Sequence, residues 1–324
     1  MKEVRNILCV VRESDAQAPA LLAHARGLAA SLQARLTLLD VLPELGHELS
    51  LLPGAHSAQA IGERRRAARR EALAQLASGL GLDDCTVTVA EGTFFLEVIR
   101  NVVRERQDLL LTTAGEAGAI RRLFSNEDLR LLRKCPCPVW LLRPERPTTP
   151  RRILVAVDCG QEYSEERLAV NRALNRRLLR HALFLSTDSH AEVHVVHAWS
   201  ALSESLANTV MSDVSRDEMA EFLEDLQHMN EQGMQALLAE LGREGLAEAL
   251  AFAAPTTHVV KGDPRQVVPA LARELDVDLT VMGSMARTGV AGFFMGNTAE
   301  DIIDQLRCSL LALKPEGYVS PVDA

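Results

Sequence analysis

The chain has 324 residues, 47% of them hydrophobic and 4% aromatic. That is about twice the length of a common domain and apolar enough for two aliphatic cores. A formal net charge of −9 argues against a general nucleic-acid binder, which needs positive charge to displace counterions from phosphates.

The elements predicted in chain order alternate between strand-like and helical runs. "RNILCVV" (5–11) and "ARLTLLDVLPE" (34–44) are followed by the basic helical run "ERRRAARRE" (63–71). That run reads as a solvated face laced by glutamates rather than a nucleic-acid patch. "EGTFFLEVIRNVVRERQDLLLTT" (91–113) and "CPVWLLRP" (137–144) close the first half. Pro144, Pro147 and Pro150 then forbid a helix or a central strand and mark a short, stiff linker.

The second half repeats the order. "RILVAVD" is a run for a strand buried on both faces, and a helix is expected over roughly 164–185. "EVHVVHAW" is the second strand, and a long helix covers about 213–245. "THVVKG" is the third strand. In the helix "DPRQVVPALAREL", Asp263 caps the start, Pro264 fits the first turn and Pro269 is a candidate kink. "DLTVMG", the helix "TAEDIIDQL" and the strand "SLLALKP" complete the chain.

Four segment pairs match in the same order, among them 91–113 with 261–283 without a gap. The chain therefore reads as a duplicated domain. The first copy spans 1–143, the linker 144–150 and the second copy 151–324. Strand–helix alternation implies two tandem Rossmann-like α/β domains, each a mainly parallel five-stranded sheet with helices on both faces. Ligands of such sheets sit beyond the carboxyl ends of the strands, where strand order reverses.

"VMGSMARTGVAGFFMGNTAED" (281–301) lies at such an end and holds Gly283, Gly289, Gly292 and Gly296. Asn297 is the expected N-cap of the last helix, with Glu300 closing a capping box. A helix start after glycines suits an anion, and Arg287 adds a charge beside it.

The order of elements, the "GDP" turn, "DLTVMGS", the glycine loop, "NTAEDIIDQLRCSLLALKP" and the duplication together resemble the universal stress protein family in its tandem form. The resemblance covers nearly the whole chain. It implies a loop of Gly, two residues, Gly, nine residues, Gly, then Ser or Thr. Those positions fall on Gly283, Ala286, Gly296 and Asn297, with Arg287 and Thr298 beside them. It also implies an adenosine pocket at Asp158 and at Val196 to Ala198.

Two of the four loop positions depart from the pattern. Ala286 adds a Cβ where backbone approaches phosphate, and Asn297 replaces a hydroxyl by an amide. In the first half Arg12 stands for Asp158. Thr113, Glu116 and Ser125 stand for Gly283, Ala286 and Gly296, so no nucleotide is expected there.

Other candidates carry less. His194 and His197, three apart in a strand, point to opposite faces and do not share a metal. His190, His228 and His258 lack ligand spacing, and no metal is expected. Six cysteines are too sparse for a disulfide framework, and "KCPCP" holds the one close pair. Ser284 suggests a phosphoacceptor, but no base stands near it and no Walker or G-x-S-x-G motif occurs.

No run approaches the length of a membrane span and no signal peptide is read, so a cytoplasmic protein without membrane contact is expected. The reading is a non-enzymatic stress-response protein with ATP, another adenine nucleotide or another ligand in the second half. The halves pair as a pseudo-dimer through "PVWLLRP" and "SLLALKP", and further homodimerisation is left open. The alternatives are a slow ATPase or phosphotransfer protein using the 283–297 loop, and a carrier of an apolar or metabolite ligand.

Overall fold

A computed structural model of the chain describes residues 4–13, 15–45, 58–115, 124–143, 145–160, 163–200, 215–287 and 293–323. It divides into two compact units, Met1–Thr149 with Val319–Ala324, and Pro150–Tyr318.

The first unit runs β1 (Asn6–Val10), α1 (Ala18–Leu32), β2 (Arg35–Leu42), α2 (Ala58–Gly79), β3 (Thr86–Glu91), α3 (Phe94–Arg104), β4 (Leu109–Thr113), α4 (Asn126–Lys134) and β5 (Val139–Leu142). Its sheet is parallel in the order β3-β2-β1-β4-β5. Ile7, Leu8, Cys9 and Val10 are wholly buried. An unbroken apolar run is what a central parallel strand covered on both faces requires.

The second unit runs β6 (Arg152–Ala156), α5 (Glu165–Ser189), β7 (Glu192–Trp199), α6 (Arg216–Leu241), a π-turn (Gly242–Leu246), α7 (Ala247–Ala253), β8 (Thr256–Lys261), α8 (Pro264–Glu274), β9 (Leu279–Gly283), β10 (Met285–Arg287), β11 (Phe293–Met295), α9 (Asn297–Ile303) and β12 (Ser309–Leu313). Its sheet has the same order, β8-β7-β6-β9-β12, again parallel. In each unit the chain reverses strand order beside its first strand. The crevice lies between β1 and β4 in one copy and between β6 and β9 in the other.

The duplication extends to backbone conformation. Gly92 and Gly262 follow β3 and β8 and hold φ of +149° and +152°. Their N–H groups donate to Leu42 O (3.0 Å) and Trp199 O (2.8 Å). A side chain in that conformation is strained, so both copies keep glycine.

The expected long helix of 213–245 ends earlier as a regular α-helix. α6 stops at Leu241, and the π-turn, with Gly245 at φ 89°, joins it to α7. Glycine has no Cβ to clash at that positive φ, and the helix kinks there. Asp263 caps α8 through the Arg265 N–H (2.9 Å). Pro269 sits buried within that helix. In α2 three arginines are engaged locally. Arg66 pairs with Glu91 (2.6 Å), Arg69 pairs with Asp40, and Arg65 donates to Pro43 O (3.3 Å). Among the described residues no helix is long and apolar enough to cross a membrane.

Candidate ligand site

β6 ends at Ala156, and Asp158 lies two residues beyond it, at the reversal of strand order. β9 ends at Gly283 on the other side of the crevice, with Ala156 opposite Met282 in the ladder. Asp158 is fixed by the first turns of α5. Asn171 Nδ2 donates to its carboxylate (2.9 Å), as does the Gly160 N–H (3.2 Å). Asn175 grips its main chain at both ends. The Asn175 Nδ2 donates to Asp158 O (2.7 Å), and Asn175 Oδ1 accepts from Asp158 N–H (3.1 Å).

Burial pushes the Asp158 carboxyl above its ordinary value, against the Gly160 N–H and the charge of Arg167. Cys159 beside it is pushed up to about 12, by burial and then by Asp158. Arg167 stacks over the Tyr163 ring at 3.7 Å.

His197 braces the same turn from below. The Asn230 Nδ2 donates to Leu226 O (2.8 Å), which turns Asn230 Oδ1 toward His197 Nε2 at 2.8 Å. An oxygen there requires the proton on Nε2. Nδ1 is then the acceptor of the Cys159 N–H at 3.3 Å.

A cavity of about 530 Å³ opens against Asp158 between α5 and α6. Asp158, Asn171, Asn175 and Gln232 give it polar groups, and Leu168 and Leu237 give it apolar wall. Glu240 and Arg243 stand at the edge where the π-turn begins. That edge is tied to α5 by Arg176 to Glu240 (2.6 Å) and to Glu244 (3.1 Å), and by Arg180 to Glu244 (2.6 Å).

The sequence-derived residues fall as follows. Val196 is buried in β7, and its carbonyl accepts from Val157 N–H at 2.9 Å. Ala198 is half-buried two residues further along β7. Gly283 packs under α5, where a Cβ would meet Leu174 Cδ2 at 2.7 Å. Its glycine thus has a packing reason beside any ligand reason.

Ala286 lies in β10 opposite Phe294 of β11, and Arg287 opposite Phe293. The stem of the glycine loop is therefore a two-stranded antiparallel ribbon. The side chains of Ala286, Arg287, Phe293 and Phe294, and all of Gly289 and Gly292, lie outside the described residues.

The capping expectation at Asn297 is corrected. The N-cap of α9 is Gly296, in extended conformation (φ −71°, ψ 139°) and with no side-chain cap. Its carbonyl accepts from Glu300 N–H at 3.1 Å. Asn297 is the first helical residue, and Asn297 and Thr298 are both exposed. A cap needs the extended residue, and glycine reached that conformation one position earlier. Ser284, the candidate phosphoacceptor, is wholly buried, and its hydroxyl is directed to Leu313 O at 3.4 Å.

In the first unit the described residues at the equivalent crevice pair with one another. Arg12 pairs with the wholly buried Asp128 (3.2 Å) and stacks over Phe94 at 4.4 Å. Asp128 also accepts from the N–H groups of Gly115 and Ser125, each at 2.9 Å. Ser125 caps α4 by accepting from Asp128 N–H at 3.2 Å. Glu116 lies outside the described residues.

Sequence reasoning passed over Asn171, Asn175 and Asp128. The first two stand four apart on one helix face, a usable signal, but they meet the carboxylate and the main chain of Asp158, 13 and 17 residues earlier. It also separated His194 from His258. The structure brings His194 Nδ1 within 3.1 Å of His258 Nε2 across β7 and β8. Among the described residues no group of three or more His, Cys, Asp or Glu is arranged to hold a metal ion.

A sequence model described as the universal stress protein family matches residues 3–143 and 149–314. Universal stress protein E of Salmonella typhi is 34% identical over 71% of this chain and 68% of its own length. Universal stress protein E of Photorhabdus laumondii is 27% identical over 100% of this chain and 99% of its own. A functionally unknown protein of Pseudomonas aeruginosa has a solved structure with TM-score 0.70 and 24% identity, covering 97% of this chain and 94% of that one. A universal stress protein of Archaeoglobus fulgidus gives TM-score 0.59 at 17% identity, covering 96% and 99%.

Proposed function

The chain belongs to the universal stress protein family, in tandem form, and from that premise we propose that its second unit holds an adenine nucleotide without turning it over. The observation that carries the reading is Asp158. It stands at the reversal of strand order, clamped by Asn175 and Asn171, on the wall of a cavity of about 530 Å³. A carboxylate has about four acceptor sites, and three are taken by Asn171, Gly160 and Tyr163. The fourth suits a ribose hydroxyl or a base amino group. The ribbon of β10 and β11 leads to Gly296 at the start of α9, where backbone N–H groups suit phosphate oxygens. Val196, Ala198, Gly283, Ala286, Arg287, Asn297 and Thr298 make up the remainder of the proposed site. The role is regulatory, in survival of stress.

A second reading has its own observation. Among the described residues the cavity is lined by α5, α6 and the turn at Asp158, and Leu168, Met229, Ala236 and Leu237 make much of its wall apolar. That lining also suits a metabolite with an apolar part.

One experiment separates them. The purified protein is denatured and the released small molecule identified by mass spectrometry. An adenine nucleotide, a melting temperature raised by ATP, and affinity reduced about 10- to 100-fold by Asp158→Ala support the proposal. A released lipid or other metabolite transfers the site to the second reading. No released molecule and no ATP shift remove nucleotide binding. ATP turnover that Gly296→Trp abolishes would instead establish the slow ATPase.

A further inference from the structure

We infer that Cys135 and Cys137 form an oxidisable dithiol, closed to a disulfide by a small peroxide. Their sulfurs lie 3.5 Å apart, in van der Waals contact. A disulfide needs them only about 1.5 Å closer. The backbone between them favours closure. Cys135 ends α4 in extended conformation (φ −69°, ψ 129°), and Pro136 and Pro138 restrict the residues around it. The chain bends at Pro136 and Cys137, and the two sulfurs meet across the bend. Both ends are anchored: Cys135 N–H donates to Leu131 O (2.9 Å), and Pro138 O accepts from Leu110 N–H (2.9 Å).

The two thiols have different parts. Cys135 is wholly buried at the C-terminus of α4, whose partial negative charge disfavours a thiolate there. Cys137 is 7% exposed, and that gap admits a peroxide more readily than a bulky disulfide. Cys137 is therefore oxidised first. Its sulfur attacks one peroxide oxygen, an S–O bond forms, the O–O bond breaks, and the leaving hydroxide takes the thiol proton as water. Cys135 sulfur then attacks the sulfenic sulfur. The S–S bond forms, the S–O bond breaks, and the hydroxide leaves as water with the proton of Cys135. Two thiols lose two electrons and the peroxide gains them.

Two of the other buried thiols, Cys9 and Cys159, are poor competitors, since burial pushes both well above the usual thiol range. A ring of three residues with Pro136 inside it is strained, so the disulfide is easily reduced and suits a reversible switch rather than a staple. Closure ties the end of α4 to the start of β5. The oxidant signal therefore lands on the helix whose other end carries Ser125 and Asp128.

The full chain is treated with hydrogen peroxide, quenched in acid, alkylated and digested with trypsin. The expected peptide holding both cysteines is lighter by two hydrogens, unalkylated, and restored by dithiothreitol. Cys135→Ser should leave Cys137 as a sulfenic acid trapped by dimedone, and Cys137→Ser should leave Cys135 unmodified. If Cys135→Ser does not fold, the wild-type peptide mass and its reversal decide alone. The inference is overturned if that peptide keeps both hydrogens while Cys85 oxidises. It is equally overturned if Cys137 runs to sulfinic acid with no closed product.

Discussion

The same crevice occurs twice in this molecule and is used in opposite ways. At the end of β1 stands Arg12, and a buried carboxylate from α4 meets it, so charges and backbone donors are satisfied internally. At the end of β6 stands Asp158, held by two amides with a cavity against it. One reversal of charge separates a closed structural knot from an open site. The fold fixes where a ligand would sit, and a few side chains decide whether the place is vacant.

The largest effect that could break this contrast is at Asp128. Asp128→Ala leaves Arg12 unpaired and two backbone donors without their acceptor. Removing one member of a buried pair costs about 3–5 kcal/mol. Hydrogen exchange of β1 and β4 amides should show that loss while β6 and β9 keep their protection. A loss under about 1 kcal/mol would mean the knot is not structural, since the figure would then match an exposed pair.

The contrast should vanish where the copies share a scaffold need. Gly92→Ala and Gly262→Ala each place a side chain at positive φ, with Cβ meeting Glu97 Cγ at 3.0 Å and Val267 Cγ2 at 2.8 Å. Each is expected to cost about 1–3 kcal/mol in its own unit, by urea unfolding followed with hydrogen exchange. The two losses should agree within about 1 kcal/mol, the scale of a single point mutation. Unequal losses would show that the repeat in sequence is not a repeat in energetics.

The duplicated fold was legible because its signals are local or periodic. Apolar β-branched runs gave the strands, and Asp263 with Pro264 gave the start of α8. The capping of α9 was not legible. Gly296 and Asn297 are adjacent, both are good caps, and only the tertiary approach of β11 decides which is extended. The meeting of His194 with His258 depends on β7–β8 register across 64 residues, and no spacing rule reaches that far. At the candidate site, Asp158 was legible and its supports were not. Asn171 holds the carboxylate and Asn175 the main chain of a residue 13 and 17 positions earlier. Arg12 was visible as a replacement, but Asp128 only as one acid of a helix.

The last contrast separates the units by pH. Burial lowers the His181 imidazole of α5 to about 3, while its Nδ1 lies 2.7 Å from Arg177 O. Its folded value is below its unfolded value of about 6.5, so below that pH the unfolded chain binds the extra proton. Stability of the second unit should therefore fall as pH drops through the range from about 6.5 toward 3, by up to about 1.4 kcal/mol per pH unit. Asp158 acts with the opposite sign. Its carboxyl is raised, so its ionisation destabilises the fold as pH rises above the ordinary aspartate value. The two partly cancel just above the ordinary aspartate value, where the aspartate and histidine windows overlap. His181→Leu removes the first contribution and should flatten the acid slope of β6 and β7 protection, leaving β1 and β2 unchanged. The same slope in the variant would show that acid opens this unit at another group.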